Sequence, residues 1–518
     1  MAEERAGRNR AGAGAAVLCA LALLAAAGCT ADAAGGAAEP TPGLARFYDQ
    51  QVDWRDCGSG FQCAGVTVPR DYDRPRGATL TIAAKRLPAA GDPLGSLVVN
   101  PGGPGGSGVD YVAGAAGIVS EDVRRHFDIV GFDPRGVARS SPVYCLDAAG
   151  LDAYQGARFD TRDGDGDQSE LTAKGVRQMQ REVKTFVAAC EENSGAMLGH
   201  VGTADVARDL DVLRAALGDD ALTYLGKSYG TAIGAHYADR FPGRVRALVL
   251  DGAIDPAADQ LELSVQQAEG FGTALDAFVA DCVRRTDCPL GGADDGAGSA
   301  MRRLHGLLAD TGRTPLDSTL GDGREVTRSR VETGLLGALY SEDLWPQART
   351  ALADAFDGDG TGLLRLGDRV YGRGESDRTY RNSAAALVAV NCADSASPRT
   401  VSAYREAAEE LRTTSPVFGP GLAWNAMACA YWPEDAVAAP ASLTAKGADP
   451  ILVVGTTRDS ATPYRWSRRL ADRLDSGVLL TRDGDGHTGY RMGDSCVDTA
   501  VDRYLIKAEA PDEGTVCR

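Results

Sequence analysis

A serine flanked by glycines is the first group in the sequence that could do chemistry. It lies in Gly226-Lys-Ser228-Tyr-Gly230, between an apolar run at 222–225 and a helix-like stretch at 231–240. A Gly-x-Ser-x-Gly turn from strand to helix is so tight that its flanking positions need glycine, and it lifts the serine hydroxyl clear of the sheet. A glycine-rich turn with an incidental serine is the alternative, and the strand and helix on either side favour Ser228 as a nucleophile.

A serine hydroxyl needs a general base, and the sequence offers five histidines. In folds with this elbow the chain order is serine, acid, histidine. Four histidines are excluded by that order or by their position: His126, His200, His236 and His305. The remaining one, His487, follows the apolar run 478–481 within Gly484-Asp-Gly-His487 and is the predicted base.

The third group should be a carboxylate that fixes the imidazole tautomer. Asp459 follows the apolar run 451–454 through a short loop and precedes His487, as the chain order requires. Asp483 and Asp485 are rivals, although both lie too close to His487 in sequence to come from a neighbouring strand. We therefore predict Asp459 as the acid.

A tetrahedral oxyanion needs backbone N–H donors, and glycines let the backbone approach a substrate. The loop Asn100-Pro-Gly-Gly-Pro-Gly-Gly-Ser-Gly108 directly follows the apolar run 97–99. Gly103 is the predicted donor, with Gly102 as second choice, and the amide of Tyr229 is its expected partner. The Lys-Ser/Thr ending of a phosphate-binding loop is missing, which argues against a nucleotide site.

The elements that position these groups are indicated by short apolar runs that alternate with helical patterns. They predict an α/β fold with a mostly parallel, doubly wound sheet. The interval from about 256 to 445 lacks the strand rhythm and carries helix-like blocks at 265–283 and 328–353, so we expect a helical lid there. The predicted organisation is an export signal (1–29), a tether (30–45), the first part of the core (46–255), the lid (256–445) and the C-terminal part of the core (446–518).

Composition narrows the function classes. The 518 residues are 44% hydrophobic and 24% charged, which excludes a disordered chain, a collagen and a coiled coil. A formal net charge of −18 repels phosphate backbones and argues against nucleic-acid binding. The acidic run Asp163-Gly-Asp-Gly-Asp167 has Lys174 where a calcium loop needs glutamate, so we predict no metal and no cofactor.

The first residues indicate export. Arg5, Arg8 and Arg10 precede an apolar stretch at 11–27, and Cys29 follows small residues. This arrangement looks like the lipobox of bacterial lipoproteins, in which that cysteine is lipidated. Two outcomes stay open: a cell-surface lipoprotein anchored through Cys29, or simple cleavage and secretion. In both cases the protein lies outside the cytoplasm, and the anchor is its only expected membrane contact.

Ten cysteines remain after Cys19 and Cys29 are set aside. They lie as close neighbours along the chain, which in an oxidising compartment favours five sequential disulfides. The predicted pairs are Cys57–Cys63, Cys145–Cys190, Cys282–Cys288, Cys392–Cys429 and Cys496–Cys517.

Taken together, these motifs resemble the secreted tripeptidyl aminopeptidases, α/β-hydrolases related to proline iminopeptidases. The likeness covers nearly all of the exported chain. It is carried by the glycine-rich loop 100–108, the Phe-Asp-Pro-Arg-Gly motif at 132–136, the elbow 226–231, the Leu-Asp-Gly motif at 250–252 and the C-terminal segment from Asp459 to Cys517. Two positions depart from the family pattern: Ala138 and Thr488 stand where glycine is usual.

The resemblance implies a serine peptidase that releases short peptides from free N-termini by acyl transfer. Such an enzyme must hold a substrate ammonium group, so it needs carboxylates under its lid. Glu342, Asp343 and Asp394 lie beside the lid landmarks Trp345 and Cys392 and are the candidates. The same triad would serve a carboxylesterase or lipase, and a peptide-binding lipoprotein without activity is a third reading.

Overall fold

The computed structural model describes residues 43–438 and 443–518. The predicted export signal, Cys29 and the tether up to residue 42 lie outside the described residues. Within the described part of the chain, no helix has both the length and the apolar character that crossing a membrane requires.

One ten-stranded sheet organises the described chain. Its strands are β1 (Arg55–Asp56), β2 (Gln62–Pro69), β3 (Thr79–Leu87), β4 (Ser96–Asn100), β5 (Asp128–Phe132), β6 (Leu222–Lys227), β7 (Val245–Asp251), β8 (Ile451–Arg458), β9 (Gly477–Asp485) and β10 (Val516–Cys517). The spatial order is β1-β2-β3-β5-β4-β6-β7-β8-β9-β10. The pairs from β5 to β10 are parallel, and β1, β2 and β3 extend the sheet in antiparallel fashion.

Apolar clusters cover both faces of the sheet, so side chains on both sides of the central strands are buried. Along β4, Val98 belongs to one apolar cluster, whereas Leu97 and Val99 belong to another on the opposite face. Successive side chains of a strand point to opposite faces, so a strand that is buried on both faces has a continuous run of apolar residues in its sequence. This is why the parallel core is visible in the sequence as short apolar segments.

Helices cover the sheet and fill its connections. They are α1 (Ala45–Tyr48), α2 (Gly108–Tyr111), α3 (Ala115–Ile118), α4 (Glu121–His126), α5 (Ala148–Gln155), α6 (Ala173–Leu198), α7 (Thr203–Leu217), α8 (Gly230–Arg240), α9 (Gln260–Cys282), α10 (Gly296–Arg313), α11 (Arg328–Ala338), α12 (Trp345–Phe356), α13 (Thr361–Tyr371), α14 (Ser383–Asp394), α15 (Val401–Thr414), α16 (Gly419–Asn425), α17 (Tyr464–Arg473) and α18 (Ser495–Lys507). The predicted α/β-hydrolase fold is confirmed, with α8 following β6 at the elbow.

The helices α9–α16 all lie between β7 and β8 in the chain. Those from α9 to α13 pack around an apolar cluster of their own, which includes Phe271, Phe278 and Trp345. The helical pattern over 328–353 is interrupted, because α11 ends at Ala338 and α12 begins only at Trp345. Pro346 has no N–H to donate and suits the first turn of a new helix, which accounts for a start at this point. The break brings the carbonyl of Tyr340 next to the backbone N–H of His487.

Candidate active site

Ser228 lies at the turn between β6 and α8. Its φ angle is +54°, in the left-handed region that L residues seldom adopt. A Cβ on Gly226 would lie 2.3 Å from the carbonyl oxygen of Gly230, and a Cβ on Gly230 would lie 2.9 Å from Oδ1 of Asn100. Both flanking positions therefore require glycine, and the local geometry is that of a nucleophile elbow.

Asp459 and His487 form a direct hydrogen-bonded pair. Nδ1 of His487 lies 2.8 Å from Oδ1 and 3.1 Å from Oδ2 of Asp459. The carboxylate also accepts the backbone N–H groups of Ala461, Thr462 and Thr488 at 2.8–2.9 Å. Because a carboxylate oxygen accepts in each of these contacts, Nδ1 of His487 is the donor to Asp459. Nε2 is then left free to act as a base.

The rival carboxylates have another partner. Arg458 donates to Asp485 at 2.8 Å and to Asp483 at 3.0 Å. Both acids thus pair with a guanidinium on β8 rather than with the imidazole, which leaves Asp459 as the carboxylate that contacts His487.

Ser228 and His487 lie at the same end of the sheet, and both lie beside the same short segment, Asp251-Gly252. The N–H of Ser228 donates to the carbonyl of Asp251 at 2.8 Å. A Cβ on the next residue, Gly252, would lie 3.3 Å from Cε1 of His487. Among the hydrogen bonds of the described residues, none joins Oγ of Ser228 directly to the imidazole. Such bonds are often long in enzymes without substrate and tighten when substrate binds.

The glycine-rich loop packs directly against the elbow. A Cβ on Gly102 would lie 2.9 Å from Cβ of Ser228 and 2.9 Å from the amide nitrogen of Tyr229. The N–H of Gly102 donates to Oδ1 of Asn100 at 2.9 Å and is therefore occupied. Within the described chain, the N–H groups of Gly103 and Tyr229 have no hydrogen-bond acceptor. This distribution favours Gly103 over Gly102 as the oxyanion donor.

Replacing Gly102 by alanine is expected to lower kcat by about 100-fold or more, the usual effect of disturbing an oxyanion hole. Gly102 has a φ of +88°, and the new Cβ would lie 2.4 Å from the carbonyl oxygen of Lys227. Gly117→Ala is the matched control, because a Cβ there meets nothing within 4 Å. Steady-state kinetics on both variants check the expectation, and equal kcat values would contradict it.

Lys227 and Asp251 join the elbow to the histidine loop. The buried Asp251 carboxylate accepts the N–H of Gly489 at 2.7 Å and that of Tyr490 at 3.0 Å. Nζ of Lys227 donates to the carbonyl of Tyr490 at 2.6 Å and lies 3.5 Å from Asp251. Burial raises the pKa of Asp251, and the charge of Lys227 opposes that shift. Through its backbone and its side chain, Asp251 thus holds the serine amide and the loop that carries His487.

We expect Asp251→Asn to lower kcat by about 10- to 100-fold while KM changes little, since the variant disturbs the reacting groups and not the cavity. In the wild type, each carboxylate oxygen of Asp251 accepts a backbone N–H. Asparagine has an NH₂ group in place of one oxygen, so a donor would face one of these N–H groups. The matched control is Asp255→Asn, which breaks the ion pair between the buried Asp255 and the half-exposed Arg469 (2.9 Å), away from the histidine loop. Similar losses in both variants, or a change confined to KM, would show that Asp251 has no positioning role.

A residue of the helical segment between β7 and β8 contacts His487. The carbonyl of Tyr340 accepts the N–H of His487 at 2.9 Å, and the two rings meet edge to face with centroids 5.4 Å apart. Burial, followed by the charge of Asp459, raises the pKa of Tyr340 to about 12, so its hydroxyl stays neutral. No sequence motif marks Tyr340, because the contact joins segments far apart in the chain.

A cavity of about 1070 Å³ opens in front of the elbow. Its lining includes Ser228, the loop from Gly103 to Ser107, and residues of α6, α9, α11, α13 and α14. The aromatic and aliphatic side chains that line it suit an organic ligand with several residues or a long chain. They include Tyr154, Phe159, Phe186, Phe271, Leu336, Leu387 and Phe418.

The three acids predicted to hold a substrate ammonium group do not line this cavity. Glu342 and Asp343 are solvent-exposed in the turn before α12. Asp394 accepts the N–H of Thr203 at 2.6 Å at the start of α7, and burial raises its pKa to about 6. Nearness in sequence to Trp345 and Cys392 did not determine which way these side chains point.

The ten cysteines of the described residues lie in five bonded pairs. These are Cys57–Cys63, Cys145–Cys190, Cys282–Cys288, Cys392–Cys429 and Cys496–Cys517. Two of the pairs lie within the helical segment between β7 and β8, and one ties α18 to β10. We retain this pairing as a proposal, which a non-reducing peptide map tests.

Comparison with known proteins gives a consistent picture. The family of TAP-like proteins matches residues 415–517. A serine protease Hip1 from Mycobacterium tuberculosis is 40% identical, covering 90% of this chain and 91% of its own. A carboxylesterase B from M. tuberculosis is 38% identical (93% and 94% covered), and a tripeptidyl aminopeptidase from Streptomyces lividans is 31% identical (91% and 88% covered). Through relatives that match over almost their whole length, the chain belongs to the tripeptidyl aminopeptidase family of serine hydrolases with the α/β-hydrolase fold.

Proposed function

We propose that this protein is an exported serine peptidase that releases tripeptides from the free N-termini of polypeptides. The observation that carries the proposal is the Asp459–His487 pair at the same sheet end as the elbow serine Ser228, in front of a cavity of about 1070 Å³. Small-molecule sites span about 300–1,000 Å³, so this cavity has room for several amino-acid residues.

In the proposed mechanism, Oγ of Ser228 attacks the scissile carbonyl while Nε2 of His487 takes the hydroxyl proton. The N–H groups of Gly103 and Tyr229 stabilise the negative charge that develops on the carbonyl oxygen. His487 then protonates the departing amine as the C–N bond breaks, which leaves an acyl ester on Ser228. A water molecule, deprotonated by His487, hydrolyses that ester and restores the free serine. Asp459 keeps the Nδ1–H tautomer throughout and stabilises the imidazolium.

Assays with three substrates and one control variant test the reaction class. The purified protein is assayed with a tripeptide aryl amide whose N-terminus is free, with the N-acetylated form of the same amide and with an aryl ester. The Ser228→Ala variant, assayed with the same substrates, is the control for background hydrolysis. Turnover of the free amide well above that of the acetylated amide is expected. Ester turnover alone would overturn the peptidase proposal.

A carboxylesterase is the second candidate, and one observation favours it. The nucleophile, base and oxyanion donors that cleave an amide also cleave an ester, and the cavity lining is rich in aromatic and aliphatic side chains. An ester enzyme has no need to bind an ammonium group. Equal rates on free and acylated substrates would therefore select this alternative.

We propose an extracytoplasmic location, with or without a lipid on Cys29. Five disulfides of the described chain support the location, since such bonds persist in oxidising compartments. The intact mass of the processed protein distinguishes the two forms, because lipidation at Cys29 adds acyl chains that simple cleavage does not.

A further inference from the structure

Three carboxylates line the cavity in front of Ser228: Asp110, Glu182 and Glu332. Asp110 is already engaged by Arg139 at 2.7 Å and by Arg381 at 3.3 Å. Glu182 is solvent-exposed on α6, where water screens its charge. Glu332 on α11 is the enclosed one, with a side chain that is 14% exposed.

Helix α11 connects Glu332 to the catalytic histidine. Ser329, Glu332, Leu336 and Tyr340 all line the cavity, and their spacing of three or four residues places them on one face of the helix and its C-terminal extension. At the end of this stripe the carbonyl of Tyr340 accepts the N–H of His487. The stripe therefore runs from the reacting groups into the cavity and reaches Glu332 two turns away.

The length of the stripe matches a short peptide. Tyr340 lies eight positions after Glu332, and a rise of about 1.5 Å per residue gives about 12 Å. Three extended residues span about 10 Å from the amino nitrogen to the scissile carbonyl, and an ammonium–carboxylate contact adds about 3 Å. On this helical measure a dipeptide with its contact spans about 10 Å and a tetrapeptide about 16 Å, so three residues match the stripe best.

The charges around Glu332 favour uptake of a cation. Oε1 of Glu332 accepts from Nε of Arg328 at 2.7 Å, while Asp165 and Asp167 lie 3.7 and 3.6 Å from the same guanidinium. Three carboxylates thus share one positive charge. Burial raises the pKa of Glu332 to about 7, and Arg328 offsets only part of this shift. An ammonium group at Glu332 would supply the missing positive charge.

We propose that Glu332 binds the amino terminus of the substrate and that its distance from His487 along α11 sets the released peptide at three residues. This inference rests on the proposed function, because it concerns the acyl side of the same peptidase reaction.

The first test replaces Glu332 by glutamine, which keeps the size of the side chain and an oxygen for Arg328. We expect kcat/KM for the free tripeptide amide to fall by about 10- to 100-fold, because a buried charge partner of the ammonium group is lost. Turnover of the N-acetylated amide and of the aryl ester should stay within about twofold. Glu192→Gln, at an exposed position of α6 outside the cavity lining, is the matched control and should leave all three substrates unchanged.

The second test moves the carboxylate. In the double variant Glu332→Gln/Leu336→Glu the charge lies one turn closer to His487, about 6 Å from Tyr340 along the helix. After about 3 Å for the ammonium–carboxylate contact, that span leaves room for about one extended residue, at about 3.3–3.6 Å. Mass spectrometry of the products from a long polypeptide should therefore show tripeptides for the wild type and a shift toward shorter products, single amino acids included, for the double variant.

The pH dependence is a third readout. Below about pH 7 protonation removes the negative charge of Glu332, so kcat/KM for the free amide should fall faster than for the acetylated amide as the pH drops. The charges of Arg328, Asp167 and Asp165 act on Glu332, and the titratable His305 of α10 interacts with the same Arg328 and Asp167. In Glu332→Gln this difference between the two substrates should disappear.

The outcomes separate the inference from the function on which it rests. If the wild type cleaves free tripeptide amides but Glu332→Gln lowers free and acetylated substrates equally, the role of Glu332 is overturned and the peptidase stands. Unchanged kinetics in Glu332→Gln lead to the same conclusion. If the wild type cleaves only esters, the peptidase function fails and this inference fails with it.

Discussion

Ser228→Ala is expected to lower kcat/KM by about 10⁴-fold or more for every substrate that the wild type turns over. The hydroxyl is the only protein group in the proposed mechanism that forms a covalent bond to the carbonyl carbon of the substrate, and neither the oxyanion donors nor the cavity can replace it. Residual turnover should come only from binding and from the N–H donors of Gly103 and Tyr229. Steady-state rates and the loss of any acyl-enzyme burst measure the effect.

The control for this variant is Ser264→Ala, another serine that lines the cavity. Its hydroxyl donates to the carbonyl of Gln260 within α9 at 2.9 Å and has no part in the mechanism. It should keep near wild-type kinetics. Thermal unfolding of both variants shows whether the fold is retained. A folded Ser228→Ala protein with more than about a tenth of wild-type activity would mean that another residue is the nucleophile.

Asp459→Asn should lower kcat by about 10³- to 10⁴-fold with little change in KM. The carboxylate of Asp459 contacts four donors, namely Nδ1 of His487 and three backbone N–H groups. An asparagine must direct its own NH₂ group at one of them. Either the imidazole is forced into the wrong tautomer or a buried N–H loses its acceptor. Both outcomes act on the chemical step rather than on substrate binding.

Asp483→Asn and Asp485→Asn are the controls for the acid. Both side chains pair with Arg458 and do not contact the imidazole, so each variant should keep kcat within about threefold of the wild type. A large kcat loss in Asp485→Asn, with Asp459→Asn nearly active, would transfer the role of the acid to the loop before His487.

The central sheet could be predicted because its strands are buried on both faces. The apolar runs at 97–99, 222–225, 247–250 and 451–454 lie within β4, β6, β7 and β8. The antiparallel strands β2 and β3 were not predicted. In β2, buried and exposed residues are mixed over Gln62–Pro69, and no continuous apolar run marks the strand.

The part of the site that could be predicted is the part that the order of serine, acid and histidine along the chain determines. Elimination among five histidines and the required order of the three groups selected His487 and Asp459, and the structure brings these two side chains into contact. The contacts of Tyr340 and Asp251 with the histidine loop were not predictable, because they join residues more than a hundred positions apart. The acids for the substrate terminus were chosen by nearness in sequence, which does not define the wall of a cavity, and the cavity lining does not include them.

Covalent labelling tests the central claim most directly. A fluorophosphonate reacts with a serine only when a neighbouring base activates it. After digestion, mass spectrometry of the labelled wild type should locate one adduct, on Ser228, and the labelling rate should fall by about 10³-fold or more in His487→Ala. An adduct on another residue, or an unchanged labelling rate in His487→Ala, would contradict an active site built from Ser228, His487 and Asp459.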